Sequence, residues 1–83
     1  MDKSIQSPRH QALATLLREY REASGLSQCD LAAIIDEPQS FVSKFEGGVR
    51  RLDLVELEQV THAFGVRLID FVQAFEERQA DEG

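Results

Sequence analysis

The chain has 83 residues, 42% of them hydrophobic, and carries nine Lys or Arg against fifteen Asp or Glu for a formal net charge of -6. Such a length supports one modest core and leaves no room for a second domain. The single Cys29 permits no internal disulfide, and with neither a signal peptide nor an apolar run long enough to span a bilayer the expected location is the reducing cytoplasm.

In chain order, Ser7 followed by Pro8 is a cap and a first-turn proline, and Leu13, Leu16, Leu17 and Tyr20 then recur at helical spacing as far as Ala23, with Gly25 as the stop. Residues 1–7 read as a flexible N-terminal arm. Ser27 and Asp30 form a capping box that opens a second helix of about two turns carrying Leu31, Ile34 and Ile35. That helix must stop at Asp36-Glu37-Pro38, because the residue before a proline is pushed out of the helical region. A third helix starts at Pro38, turns Val42 and Phe45 inward, and is released at Gly47-Gly48. Asp53 and Glu56 make another capping box, and Leu54, Leu57, Val60, Ala63 and Phe64 run to a stop at Gly65. A short last helix carries Leu68, Phe71, Val72 and Phe75 before a polar tail, residues 79–83. The expected fold is all-α: a compact five-helix, repressor-like domain over residues 8–78 with a helix-turn-helix at 27–46.

The third helix leaves Gln39, Ser40, Ser43 and Lys44 as a polar face. A helix of this kind fits the major groove of B-DNA, where amides, hydroxyls and ammonium groups meet a distinct donor and acceptor pattern on each base pair. Gln39 could pair with adenine and Lys44 with guanine; ordinary solvation of a short helix would also account for them. Phe41 projects from the same helix, either to touch a thymine methyl or sugar edge or to pack against the motif.

The stretch from Gly25 to Gly48 resembles the Cro/repressor-type, or xenobiotic-response-element, family of helix-turn-helix DNA-binding proteins. Leu26-Ser27-Gln28, Leu31-Ala32, Pro38-Gln39-Ser40, Val42-Ser43-Lys44, Glu46 and Gly48 match its pattern in register, and the similarity runs from Arg21 to Val66, about two thirds of the chain. The resemblance implies that Gln28 binds a phosphate, that Gln39, Ser40 and Lys44 meet base edges, and that Ser43 lies at the groove margin. It also implies a buried ion pair between Arg21 and Glu46, where two separate surface charges are the alternative. A two-fold dimer is implied too, with Val72 or Phe75 at the interface; the same residues could simply close the monomer core.

Some positions depart from the family pattern. Asp36 stands where the family often has glycine, so an aspartate must take the bend, and Glu37 places a carboxylate beside the reading helix. Val49 follows the motif without the usual basic residue, which leaves Arg50 and Arg51 to hold the DNA backbone together with Arg9. The net negative charge is unevenly spread: residues 1–51 hold seven basic and seven acidic side chains, whereas residues 52–83 hold two and eight. The acidic half can therefore face away from phosphates.

No catalytic or metal chemistry is legible. His10 and His62 are isolated from any Cys or His at ligand spacing, and no glycine loop suited to phosphates occurs. The expectation is a sequence-specific transcriptional regulator, a repressor more than an activator, that binds a short near-palindromic operator as a homodimer. It needs no cofactor, metal or small-molecule ligand, meets no membrane, and is not an enzyme. The alternative is a protein-interaction adaptor or antitoxin that uses the same fold and docks a basic partner on its acidic half.

Overall fold

The computed structural model describes residues 7–82, with side chains through Arg78, so the expected N-terminal arm lies outside the described residues except for Ser7. Five helices follow one another: α1 (Pro8–Ala23), α2 (Gln28–Ile34), α3 (Gln39–Glu46), α4 (Leu54–Ala63) and α5 (Leu68–Glu82). No strand occurs among the described residues.

Local chemistry sets most of the boundaries. The hydroxyl of Ser7 accepts the His10 backbone N–H at 3.1 Å, with Pro8 at the first helical position. Both capping boxes close reciprocally: Ser27 with Asp30 at 3.0 Å in each direction, and Asp53 with Glu56 at 2.7 and 2.9 Å. Pro38 occupies the cap of α3, so the helix starts at Gln39, one residue later than expected, because the Pro38 ψ of 155° is extended; its carbonyl accepts from Phe41. The expected short last helix is longer, since α5 continues through the polar tail to Glu82.

Four helix ends are closed in one way, by a residue with φ between 59 and 78° whose successor donates back across the last turn. Three of these residues are glycine; the fourth is Asp36, at φ 59°. Its neighbour Glu37 donates to the Ala32 carbonyl at 2.9 Å, so the bend between α2 and α3 is a left-handed helix end built on an aspartate.

The core takes Leu16 and Leu17 from α1, Leu31 and Ala32 from α2, Phe41, Val42 and Phe45 from α3, Val60 from α4 and Phe71 from α5. Tyr20 stands edge-on to Phe71 at 5.1 Å between ring centroids and lies tilted to Phe64 at 6.3 Å. Two expected core residues lie outside it. Ile34 is 55% exposed, because α2 turns Leu31, Ala32 and Ile35 inward and its last residue falls on the far side. Leu54 is 66% exposed, because the first turn of α4 overhangs the core. Packing of α3 against both α1 and α2 leaves one side of α3 uncovered.

Candidate nucleic-acid interface

The uncovered side of α3 is the expected polar row. Gln39, Ser40, Ser43 and Lys44 are all exposed, and the Ser40, Ser43 and Lys44 side chains have no hydrogen-bond partner among the described residues. Val42 and Phe45 occupy the opposite side in the core. Phe41 joins them, so of its two expected readings the packed one holds and the DNA contact does not: it is 9% exposed and stands edge-on to Phe45 at 5.6 Å.

Behind this face sits a connected polar network. Arg21 Nε donates to Glu46 Oε2 at 2.6 Å and Nη2 to Oε1 at 3.1 Å, so the guanidinium and carboxylate meet as two parallel forks. Arg21 Nη1 also donates to the Leu26 carbonyl at 2.8 Å. The pair is buried, with the Glu46 side chain 4% exposed, and the carboxylate holds the Arg21 pKa above its ordinary value against the opposing effect of burial. The expected ion pair is therefore present and ties α1 to the end of α3. The network continues outward: Gln28 Nε2 donates to Glu46 Oε1 at 3.0 Å, and Gln39 Nε2 donates to Gln28 Oε1 at 3.2 Å. Gln28, expected at a phosphate, is half-buried between the ion pair and the first residue of α3.

The basic residues expected on the DNA backbone divide into two groups. Arg50 is tied down while staying 39% exposed: its guanidinium lies 4.5 Å from the Phe41 ring centroid, and its two terminal nitrogens donate to the two Glu56 oxygens at 3.1 and 3.0 Å. Glu56 therefore sits below the usual carboxylate range, lowered first by Arg50 and then by the Asp53 N–H. Arg50 is raised in turn, chiefly by Glu56 and in part by Glu37, so the carboxylate expected to repel phosphates has a cation nearby. Arg9 and Arg51 are brought together instead. With Ser7, His10, Leu13, Leu52 and Phe75 they line one open cavity between the start of α1 and the segment after α3, and Arg9 lies 4.9 Å from the Phe75 ring centroid.

Sequence reasoning missed Arg18. It lies one turn before Arg21 on α1, pairs with Glu22 at 3.2 Å on the surface, and shares a polar cleft with Gln28, Ser43 and Gly47. The three-residue spacing from Arg21 was the available signal. Val72 and Phe75 are half-buried on α5, Phe75 packed against the core, while Ile69 one turn earlier is 60% exposed. Cys29 is an exposed free thiol. No group of metal-ligating side chains and no helix long and apolar enough to cross a membrane occurs among the described residues.

The helix-turn-helix family model matches residues 17–71, which is more than half of the chain. An XRE-family like protein from Pseudomonas syringae pv. tomato is 41% identical, with 92% of this chain and 93% of that one covered at a TM-score of 0.81. The chain belongs to the XRE-type helix-turn-helix family. Two further solved structures share the fold and are more distant in sequence. A point mutant of the restriction-modification controller protein C.Esp1396I is 21% identical, covering 93% of this chain and 98% of that one at a TM-score of 0.84. The clp gene regulator ClgR from Corynebacterium glutamicum is 24% identical, covering 92% and 85% at a TM-score of 0.74. Comparison with the curated proteins finds no match. The matched residues include the whole Arg21–Glu46 scaffold and the reading helix, so the family resemblance rests on the elements that build this face.

Proposed function

We propose that this helix-turn-helix protein is a sequence-specific DNA-binding transcriptional regulator, a repressor that occupies a short near-palindromic operator as a homodimer. The observation that carries the reading is the row Gln39, Ser40, Ser43 and Lys44, exposed on a helix whose opposite side is locked into the core and whose end is held by the Arg21–Glu46 pair. Exposed hydrogen-bonding groups on a rigid helix, those of Ser40, Ser43 and Lys44 without internal partners among the described residues, suit base edges in the major groove.

The restriction-modification controller protein C.Esp1396I, 21% identical, is known as a tetramer in complex with its natural 35 base-pair operator. That supports an assembly on DNA, and two-fold dimers place their reading helices roughly 34 Å apart, one turn of duplex. On this chain the interface falls on the α5 strip of Ile69, Val72 and Phe75. The regulator works in the cytoplasm on its own concentration, without cofactor, metal or small-molecule ligand, and catalyses no reaction.

The adaptor reading draws on the acidic half: residues 52–83 carry two basic and eight acidic side chains. Retrieval of a basic protein at one-to-one stoichiometry, with no DNA bound, would favour it.

Selection of bound duplexes from a random pool at physiological salt tests the proposal, with the unsubstituted chain and Lys44→Ala in parallel. Enrichment of a two-fold symmetric motif that degrades in Lys44→Ala is the expected result; absence of any enriched motif would overturn it. Sedimentation across micromolar concentrations tests the dimer, a single monomeric species being the result against it.

A further inference from the structure

Arg9 and Arg51 are the two arginines of the cavity between the start of α1 and the segment after α3. No carboxylate among the described residues lines it, although the chain as a whole carries a net charge of -6. Arg51 is exposed, and its guanidinium has no hydrogen-bond or ion-pair partner among the described residues, whereas its neighbour Arg50 is held by Glu56. Two guanidiniums at one rim repel each other unless an anion meets them. Beneath this rim the lining is apolar, supplied by the half-buried Leu13, Leu52 and Phe75. Arg9 spans both parts, with its guanidinium 4.9 Å from the Phe75 ring centroid.

An occupant of this cavity needs an anionic group beside an apolar one. The DNA backbone offers the charge without the apolar side chain, so a phosphate would use the arginines and leave Leu13, Leu52 and Phe75 uncovered. A free small molecule is a poor match as well, because such sites enclose most of their ligand and this cavity, about 280 Å³, is open. A side chain projecting from a larger body needs no enclosure, since the rest of that body covers the mouth. Two-fold pairing of a second copy on this rim would set arginines against arginines, and entry of a different face would build open chains.

We infer that the cavity is a docking site for an acidic amphipathic segment of another protein, which inserts a leucine-like or phenylalanine-like side chain against Leu52 and Phe75 and sets a neighbouring carboxylate on Arg51 and Arg9. Carboxylate and guanidinium can meet there as paired forks. The site shares no residue with the row from Gln39 to Lys44, so the regulator has one face for DNA on α3 and another for protein at the start of α1. Arg9 and Arg51, expected on the DNA backbone, are thereby assigned to the protein partner. The inference goes beyond the DNA reading and does not depend on it.

The experiment is a titration of the full chain, at physiological salt, with a synthetic peptide of alternating leucine and aspartate, acetylated and amidated at its ends. Calorimetry gives the affinity, and NMR follows the side-chain signals of Leu13, Leu52 and Phe75. Two comparison peptides carry serine in place of leucine or lysine in place of aspartate. The expected result is saturable binding of the leucine–aspartate peptide that moves those signals, weakens about tenfold in Arg51→Ala, and is lost with either comparison peptide. The exposed Arg51 side chain has no partner to lose, so the melting temperature of Arg51→Ala should be unchanged.

Equal binding of the serine peptide would reduce the site to general charge attraction and overturn the proposal. Absence of binding, or an affinity unchanged in Arg51→Ala, would do the same. Binding of a random-sequence duplex should keep its salt slope in Arg51→Ala; a slope shallower by about 1 would place Arg51 on a phosphate and overturn the docking role. Open-ended association of the unsubstituted chain in sedimentation, dispersed by the peptide, would make a second copy the occupant and also overturn it. The peptide titration reads the same whether or not the chain enriches a DNA motif, so failure of the DNA reading and failure of this inference are separate results.

Discussion

Arg50 covers the ring of Phe41 at 4.5 Å from its centroid, and Glu56 holds it there with two hydrogen bonds. The residue that follows the reading helix in sequence as a ready phosphate contact is thus a strap. It fastens the segment after α3 to the start of α4 and closes one side of the core.

Arg50→Ala should therefore act on stability before it acts on DNA. The expected outcome is a melting temperature lower by a few degrees, with the logarithmic salt dependence of DNA binding nearly unchanged. Arg18→Ala should do the reverse: unchanged melting and a salt slope shallower by about 1, the signature of one lost phosphate contact. Thermal denaturation and binding titrations at several salt concentrations check both.

Removing one partner of a buried pair leaves a charge without compensation. Glu46→Ala strands the Arg21 guanidinium and should cost about 3 kcal/mol, enough to threaten the fold of a domain this small. Chemical denaturation of the variant checks it; an unchanged midpoint would show that the pair is dispensable.

Acid should loosen the Arg50–Glu56 strap. The Glu56 carboxyl is lowered in the folded chain from an ordinary value of 4.5, so its contribution is fully present above that value and is lost as pH falls through the depressed one. Asp30, lowered by the Ser27 backbone N–H and hydroxyl, adds in the same direction. The melting temperatures of the unsubstituted chain and Glu56→Gln should differ at pH 7 and converge as pH falls well below the ordinary value of 4.5.

Among the described residues Asp36 is the one non-glycine residue in the left-handed region, at φ 59°. Asp36→Val should cost about 1 to 2 kcal/mol, since a β-branched side chain collides with its own backbone there, whereas Asp36→Gly should be neutral or stabilising. Equal destabilisation by both would mean that the aspartate side chain, not the backbone angle, matters at the bend.

Lys44→Ala should leave folding untouched, because the side chain is exposed without a partner, and should weaken binding by about 1 to 3 kcal/mol with relaxed preference at one base position. Weakening that is uniform across sequences would reassign Lys44 to the DNA backbone.

What was legible in the sequence is what short-range chemistry decides. Ser7 with Pro8, Ser27 with Asp30, and Asp53 with Glu56 are caps whose partners lie within three residues, and each formed as its spacing required. The helix count and the polar row of α3 follow from the same local periodicity, and the Arg21–Glu46 pair was legible because the family resemblance carried it across twenty-five positions. Facing is different. Ile34 and Leu54 keep helical spacing yet point to solvent, Phe41 points inward, and the half-exposed Arg50 is held by Phe41 and Glu56. Those choices depend on how α1, α2 and α4 pack around α3. Periodicity defines a stripe, but only the crossing of helices decides which edge of it is covered. The link from Glu46 through Gln28 to Gln39 belongs to that second kind: it joins residues eighteen and eleven positions apart, and hydrogen bonds of about 3 Å exist only once tertiary packing has brought α2 against α3.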